Sequence, residues 1–171
     1  MCATGTDLAP PTTRPMSASS LRMTKVVAPS DTNHMLNTFG GNVMAWMDDA
    51  ATVAALKHCR YTPLGNHVNV VTIAVDAMQF HGGSKVGDHI TCFAQVNRAF
   101  GSTMEVGVRV EAQCLGGDVR HINTGYVRSR ANRAREAIVL IDELDRSSHS
   151  HSFRTQLLDD NGDQRGDERA D

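Results

Sequence analysis

Nowhere in the 171-residue chain does an apolar run reach the length of a bilayer span, and no secretory apolar segment follows its first residues. No membrane partner is expected. The compartment reads as cytoplasmic, with mitochondrial as the alternative because the start is poor in acids and rich in Ser and Thr. Only four cysteines occur, Cys2, Cys59, Cys92 and Cys114, and no two form a C-x-x-C pair, which argues against a disulfide framework. Lys and Arg number 17 against 19 Asp and Glu, so the basic surplus of a nucleic-acid binder is missing. His34, His58, His67, His81, His89 and His121 are scattered, there is no H-E-x-x-H, and His149-Ser-His151 is an isolated tail patch. No metal is expected. The G-x-S-x-G elbow, the phosphate loop and a G-x-G-x-x-G after a strand are also absent, so serine-hydrolase, nucleotidase and dinucleotide readings lose support.

What the chain does have is a stretch from Asn33 to about Arg60 that opens on polar turn formers and a Gly40-Gly41 pair. It continues as a segment of high helix propensity with no Pro or Gly before Pro63. Val43, Met44, Trp46, Met47, Ala50, Ala51, Val53, Ala54, Ala55 and Leu56 leave almost no polar stripe, so this helix belongs inside a fold, wrapped on several sides. Asp48 stands where a carboxylate is costly to bury unless it has partners or a task.

The length fits one domain. Residues 1–19, with Pro10, Pro11 and Pro15, read as a disordered leader. A first strand is expected from Leu21 to Val27, a turn at Ser30–Asn33, then the helix. Alternating segments follow at Val68–Phe80, Asp88–Phe100, Thr103–Cys114 and His121–Val127, joined at Gly82-Gly83, Gly87-Asp88, Gly101-Ser102 and Gly116-Gly117-Asp118, all read as hairpin chemistry. One strand, one buried helix and four strands imply an α+β fold, an antiparallel sheet curled around a central helix. Residues 131–146 carry Ile138, Leu140, Ile141 and Leu144 as an amphipathic set and read as a candidate C-terminal helix, while 147–171 read as a disordered polar tail.

Gly40 and Gly41 ahead of a helix present either backbone N–H groups for an oxyanion or a tight entry turn. Asp48 and Thr52 share a helix face, and Asp49 points about 100° away. Eight residues of straight helix separate Gly40 from Asp48 by roughly 12 Å, too far for both to serve one carbonyl. If both act in one reaction, they come from two copies of the helix across a dimer interface. Arg98, Arg109, Arg120, Arg128 and Arg130 either face phosphates at strand ends or are solvated sheet charges.

The run Asn37-Thr-Phe-Gly-Gly-Asn-Val-Met-Ala-Trp-Met-Asp-Asp-Ala-Ala-Thr52 resembles the hotdog-fold acyl-CoA thioesterases, closest to the animal cytosolic acetyl-CoA hydrolase and brown-fat-inducible group. The resemblance continues through Val71-Thr-Ile-Ala-Val-Asp76, Phe80-His-Gly-Gly-Ser-Lys-Val-Gly-Asp88, Val96–Ala112 and Arg120-His-Ile-Asn-Thr-Gly-Tyr126, within a domain of residues 20–130. It implies hydrolysis of acyl-CoA to a free acid and CoA, with no cofactor beyond the CoA of the substrate. It places Asp48 as the acid that activates water or attacks the thioester, Asn33 as the orienting asparagine, and Gly40, with Gly41 beside it, as the amide donor. Thr52 falls on a supporting hydroxyl. CoA would run along Ile73, Ala74 and Val75 and along Ser102, Thr103 and Met104. Relatives carry two hotdog units in tandem where this chain has one, so a homodimer or an assembly of dimers is expected. The loop also departs, reading Asn33-His-Met-Leu-Asn37 where relatives usually have Gly before the second Asn. A non-catalytic acyl-CoA-binding regulatory module is the alternative, and keeping both Asn33 and Asp48 argues against it. A hotdog dehydratase, with His34 as base, ranks last.

Overall fold

The computed structural model describes residues 13–59, 69–131 and 140–141. In chain order these form β1 (Thr13–Arg14), β2 (Leu21–Val26), α1 (Gly40–Cys59), β3 (Val70–Phe80), β4 (His89–Ala99), β5 (Thr103–Gln113), β6 (Val119–Ala131) and β7 (Leu140–Ile141). Strands β2-β4-β5-β6-β3 make one five-stranded antiparallel sheet in that order. It curls so that every one of its strands touches α1.

The two-residue alternation lines the inner side of the sheet. Ile90, Cys92, Ala94 and Val96 on β4, and Met104, Val106, Val108, Val110 and Ala112 on β5, are all at most 1% exposed. Against them α1 sets Ala50, Ala51, Ala54 and Ala55, each 0% exposed, whose small side chains let the helix lie close to the sheet. Each buried Val or Met contributes about 1.5–3 kcal/mol relative to exposure. Burial pushes the Cys59 thiol up to about 11, slightly eased by Arg14. Burial, helped by the charge of Asp49, pushes Cys92 up to about 12. Both are inert core thiols at neutral pH.

Several expectations change. Gly82-Gly83 does not close a hairpin: β3 is an edge strand and the chain crosses from it to β4 near the other edge. Gly101-Ser102 and Gly116-Gly117 do sit in hairpins, since β4–β5 and β5–β6 pair directly. The helix is not covered all round, because one sheet shields one side; Met44 and Val53 remain 43% and 40% exposed. Residues 13–19, expected within a disordered leader, form β1 and a 3-10 turn (Met16–Ser19) whose Met16 is 0% exposed. Ser19 Oγ donates to Met16 O at 2.6 Å and accepts from Val96 N at 3.0 Å, which ties the turn to β4. Of the candidate helix 131–146, Ala131 ends β6 and Leu140–Ile141 is β7, paired parallel with β1. Backbone pairing with Thr13–Arg14 overrides the helical spacing there. The rest of that segment, the tail 147–171 and residues 1–12 lie outside the described residues.

Candidate active site

The loop before α1 is built around two acceptors. Asp31 Oδ2 accepts from Ala28 N at 2.9 Å, and Asp31 O takes Phe39 N at 2.8 Å and Asn42 Nδ2 at 3.1 Å. Asn33 Oδ1 accepts from Met35 N at 2.9 Å and Asn37 N at 3.2 Å, while Leu36 N donates to Asn33 O at 3.0 Å. This is an Asx turn. It spends the carbonyl end of the half-buried Asn33 and leaves its Nδ2 with no partner among the described residues. Leu36 sits in the turn at φ 60, the left-handed region. Thr38 closes the loop onto the β3–β4 crossover. Its N and Oγ1 donate to Ser84 O at 2.7 and 3.1 Å, and Ser84 Oγ lies 2.6 Å from Thr38 Oγ1. Farther along the crossover, Lys85 N donates to Asp88 Oδ2 at 3.0 Å, and Arg120 Nη2 meets the same oxygen at 2.9 Å.

At the helix start, Asn42 N and Val43 N already bond Phe39 O, at 2.9 and 3.3 Å. No acceptor stands opposite Gly40 N or Gly41 N among the described residues. Unpaired first-turn amides at the positive end of the helix dipole suit a developing oxyanion. A Cβ at Gly40 would lie 3.5 Å from Phe80 Cζ, so the Phe80 ring flanks this tip. At Gly41 a Cβ would come within 2.5 Å of Phe39 Cε1, so glycine leaves room for that ring.

Two turns along the same unbroken helix, Asp48 is half-buried and faces β3, where Thr72 Oγ1 donates to its Oδ1 at 2.5 Å. Thr72 is the residue that sequence reasoning missed. The sign that could have found it is a hydroxyl at the register of an inward-facing strand position. Thr52 is half-buried, with no hydrogen bond among the described residues, and Asp49 is exposed.

The sheet register brings the two expected CoA segments to one end of the molecule. Thr72 pairs with Ser129 and Ser129 with Met104, so β3 and the β4–β5 hairpin flank β6 there. Two strand spacings of about 4.8 Å separate them. Ile73 and Val75 are each 43% exposed and Ala74 is half-buried. Ser102 is exposed and Thr103 half-buried, but Met104 is 0% exposed, with Cys59 Sγ 3.9 Å from its sulfur. The Met104 side chain therefore belongs to the core, and only its backbone is left for a ligand. Of the five arginines, Arg109 pairs with Glu111 at 2.9 Å, Arg120 with Asp88 at 2.9 Å and Arg128 with Asp76 at 3.1 Å. Arg130, in register with Thr103, has no ion pair among the described residues; neither has Arg98, whose guanidinium lies 5.2 Å from the Phe100 ring centre. No group of three His, Cys, Asp or Glu side chains able to hold a metal occurs among the described residues.

A long helix cradled in a five-stranded antiparallel sheet, with a carboxylate on its flank and open amides at its tip, is the hotdog architecture. Residues 36–114 match the family model of the thioesterase superfamily. The chain is 36% identical to the rat acetyl-coenzyme A thioesterase over 131 residues, 74% of this chain and 22% of that protein. It is 38% identical to mouse acyl-coenzyme A thioesterase 11 over 115 residues, 66% of this chain and 18% of that one. The chain thus spans about a fifth of the length of these curated relatives. The crystal structure of an apo, hexameric acyl-CoA thioesterase superposes with a TM-score of 0.67 at 25% identity, covering 90% of this chain and 99% of that one.

Proposed function

We propose that the protein is an acyl-CoA thioesterase that works as a homodimer or an assembly of dimers, with each active site shared between two copies. The observation that carries this reading is the division of labour along α1. One uninterrupted helix bears a half-buried carboxylate held by Thr72 and, roughly 12 Å away, a tip of unpaired amides. A single reacting carbonyl needs both within about 3 Å, so a second copy supplies one of them. The free edge of β3 supports such pairing. Val71, Ile73 and Val75 are 52%, 43% and 43% exposed along it, and Phe39 and Phe80 add apolar surface beside the helix tip.

In the shared site, Asp48 of one copy takes the proton of a water, or itself attacks the thioester carbon. Asn33 Nδ2 of the other copy holds the water, and its Gly40 amide, with Gly41 beside it, receives the oxyanion. On the base route, collapse of the tetrahedral adduct breaks the C–S bond, and the CoA thiolate leaves and takes the proton that Asp48 removed from water. On the nucleophile route the same collapse leaves an Asp48 acyl anhydride. The water then cleaves it to the free acid and the restored carboxylate, while its proton goes to the thiolate. CoA lies along Ile73–Val75 and Ser102–Thr103, with Arg130 and Arg98 beside its phosphates. CoA enters as part of the substrate, and no resident cofactor is required. Among the described residues no helix is long and apolar enough to cross a membrane, and we place the enzyme in the cytoplasm.

The test is free-thiol release over acyl-CoAs from acetyl to palmitoyl, with molecular mass measured in solution. Asp48→Asn should lower kcat by about 10²–10⁴-fold while leaving acyl-CoA binding in place. Full turnover by that variant, or a stable monomer that hydrolyses acyl-CoA, would reject the reading; tight acyl-CoA binding with no thiol release would favour a regulatory module. Single-turnover incorporation of heavy oxygen into Asp48 separates nucleophile from base.

A further inference from the structure

On the inner side of β6, Asn123, Gly125, Val127 and Ser129 follow one another in register with Val110, Val108, Val106 and Met104 of β5. Two of these four residues are polar. Asn123 and Ser129 are each 0% exposed, and neither the Oδ1 and Nδ2 of Asn123 nor the Oγ of Ser129 has a hydrogen-bond partner among the described residues. A buried polar atom left unpaired is costly, and cores rarely keep one without a reason.

Their positions follow the proposed machinery. Ser129 lies opposite Thr72, the donor to Asp48, and Asn123 lies opposite Phe80, whose ring flanks Gly40. Cross-strand neighbours of this kind approach to about 4.5–5.5 Å between Cβ atoms. The Asn123 side chain therefore leaves the sheet on the same face as, and next to, the ring beside the open helix tip. Its backbone is pinned: His121 Nε2 is hydrogen-bonded with Asn123 O at 3.0 Å and with Thr124 Oγ1 at 2.7 Å. His81 N donates to Ile122 O at 2.9 Å, and the His81 and His121 rings lie 4.7 Å apart. Two residues along β6, a Cβ at Gly125 would lie 3.1 Å from the Met47 methyl and 3.5 Å from that of Met78, so apolar groups cover the strand beside Asn123.

A carboxamide offers a donor and an acceptor side by side, and the small group that answers both is a hydroxyl. A carbonyl bound at Gly40 would send the first carbons of its acyl chain past the Phe80 ring. We infer that Asn123 selects acyl groups that carry a hydroxyl close to the thioester, as in a 3-hydroxyacyl-CoA. The inference rests on the thioesterase reading above and narrows its substrate class. A site built to pair with a hydroxyl discriminates strongly against the analogue that lacks it, because its own polar atoms are then stranded.

The experiment compares kcat/KM for 3-hydroxybutyryl-CoA and butyryl-CoA by thiol release, in the wild type and in Asn123→Leu, which keeps the volume and removes both polar atoms. The wild type should favour the hydroxylated substrate by about tenfold or more. Asn123→Leu should bring the ratio to about one while still hydrolysing butyryl-CoA. Equal rates on the two substrates in the wild type, or a preference that survives in Asn123→Leu, overturn this inference alone. The wild-type ratio decides the matter even if the variant does not fold. No thiol release from either substrate, with release from other acyl-CoAs between acetyl and palmitoyl, also overturns this inference alone. No release from any of them overturns the thioesterase reading and this inference with it.

Discussion

At its C-terminal end α1 hands carbonyls to Arg14, whose Nη1 donates to Lys57 O at 3.0 Å and to His58 O at 2.9 Å. Lys57 Nζ reaches across to Ser20 O, and the turn that carries Met16 and Ser19 packs against helix and sheet. At the N-terminal end, Gly40 N and Gly41 N have no acceptor among the described residues, Phe39 and Phe80 are 56% and 51% exposed, and Leu36 holds a left-handed backbone. One end satisfies its orphan groups with the chain's own side chains, and the other leaves them open. Fixed donors at a helix start contribute little to folding while unpaired, but they need no reorganisation when negative charge develops in front of them. The closed end should therefore govern stability and the open end turnover.

The sharpest way to break that contrast is Gly40→Pro. Proline is well accepted at the first helical position, where its fixed φ fits and its missing N–H removes no helix hydrogen bond. It deletes only the donor assigned to the oxyanion. A loss of about 10²–10³-fold in kcat is expected, with a melting temperature close to that of the wild type. If kcat is unchanged, the tip is merely an entry turn. Thr72→Val comes next. It removes the hydroxyl that Asp48 accepts while keeping shape, and a hydrogen bond to a charged group corresponds to about 1.5–3 kcal/mol. A fall of about tenfold in kcat with KM nearly unchanged is expected. Thr52→Val should do far less, because no hydrogen bond joins Thr52 to Asp48.

That second pair shows where a one-dimensional reading stops. Gly40, Gly41 and Asp48 stand out in the sequence because a glycine pair and a carboxylate interrupt a long apolar helix, and helical rise already separates them. The inner faces of β4 and β5 are legible for the same reason, their alternation being unbroken. Thr72 is legible only as a hydroxyl at an inward-facing strand position; its partner is not, since that depends on which strand lies beside the helix. That in turn depends on β3 pairing with β6, with register shifts between Thr72 and Ala74 and between Asp76 and Gln79. The glycines at 82 and 83 look like a hairpin turn, yet they carry the chain across the sheet, because turn chemistry fixes a local bend and says nothing of the next strand's neighbour. The order in 13–19 and 140–141 was hidden too. Two-residue strands leave no periodicity to read, and their stability comes from packing and from pairing with each other.

The closed end is tested by Arg14→Ala. The variant loses two hydrogen bonds to carbonyls at the negative end of the helix dipole. A destabilisation of about 1–3 kcal/mol in urea unfolding is expected. kcat at low temperature should stay within about twofold of the wild type, since about 0.4 kcal/mol is the most that end should pass to the reaction. A large kcat effect would mean that the two ends are not independent.

Leu36→Gly probes the open end through its backbone. A non-glycine residue in the left-handed region costs about 1–2 kcal/mol, and Leu36, at φ 60 and 67% exposed, has little packing to set against it. Glycine removes that strain and adds about 0.5–1 kcal/mol of chain entropy to the unfolded state, so relief of the strain outweighs the entropy. A net gain of about 0.5–1 kcal/mol in urea unfolding is expected, with kcat unchanged because Asn33 Oδ1 still receives the Met35 and Asn37 amides. Leu36→Ala keeps the Cβ and the strain and should show no such gain. If alanine stabilises as much as glycine, the effect lies in removing an exposed apolar side chain. If neither does, the turn at Asn33 relaxes without cost and the open end is softer than its hydrogen bonds imply.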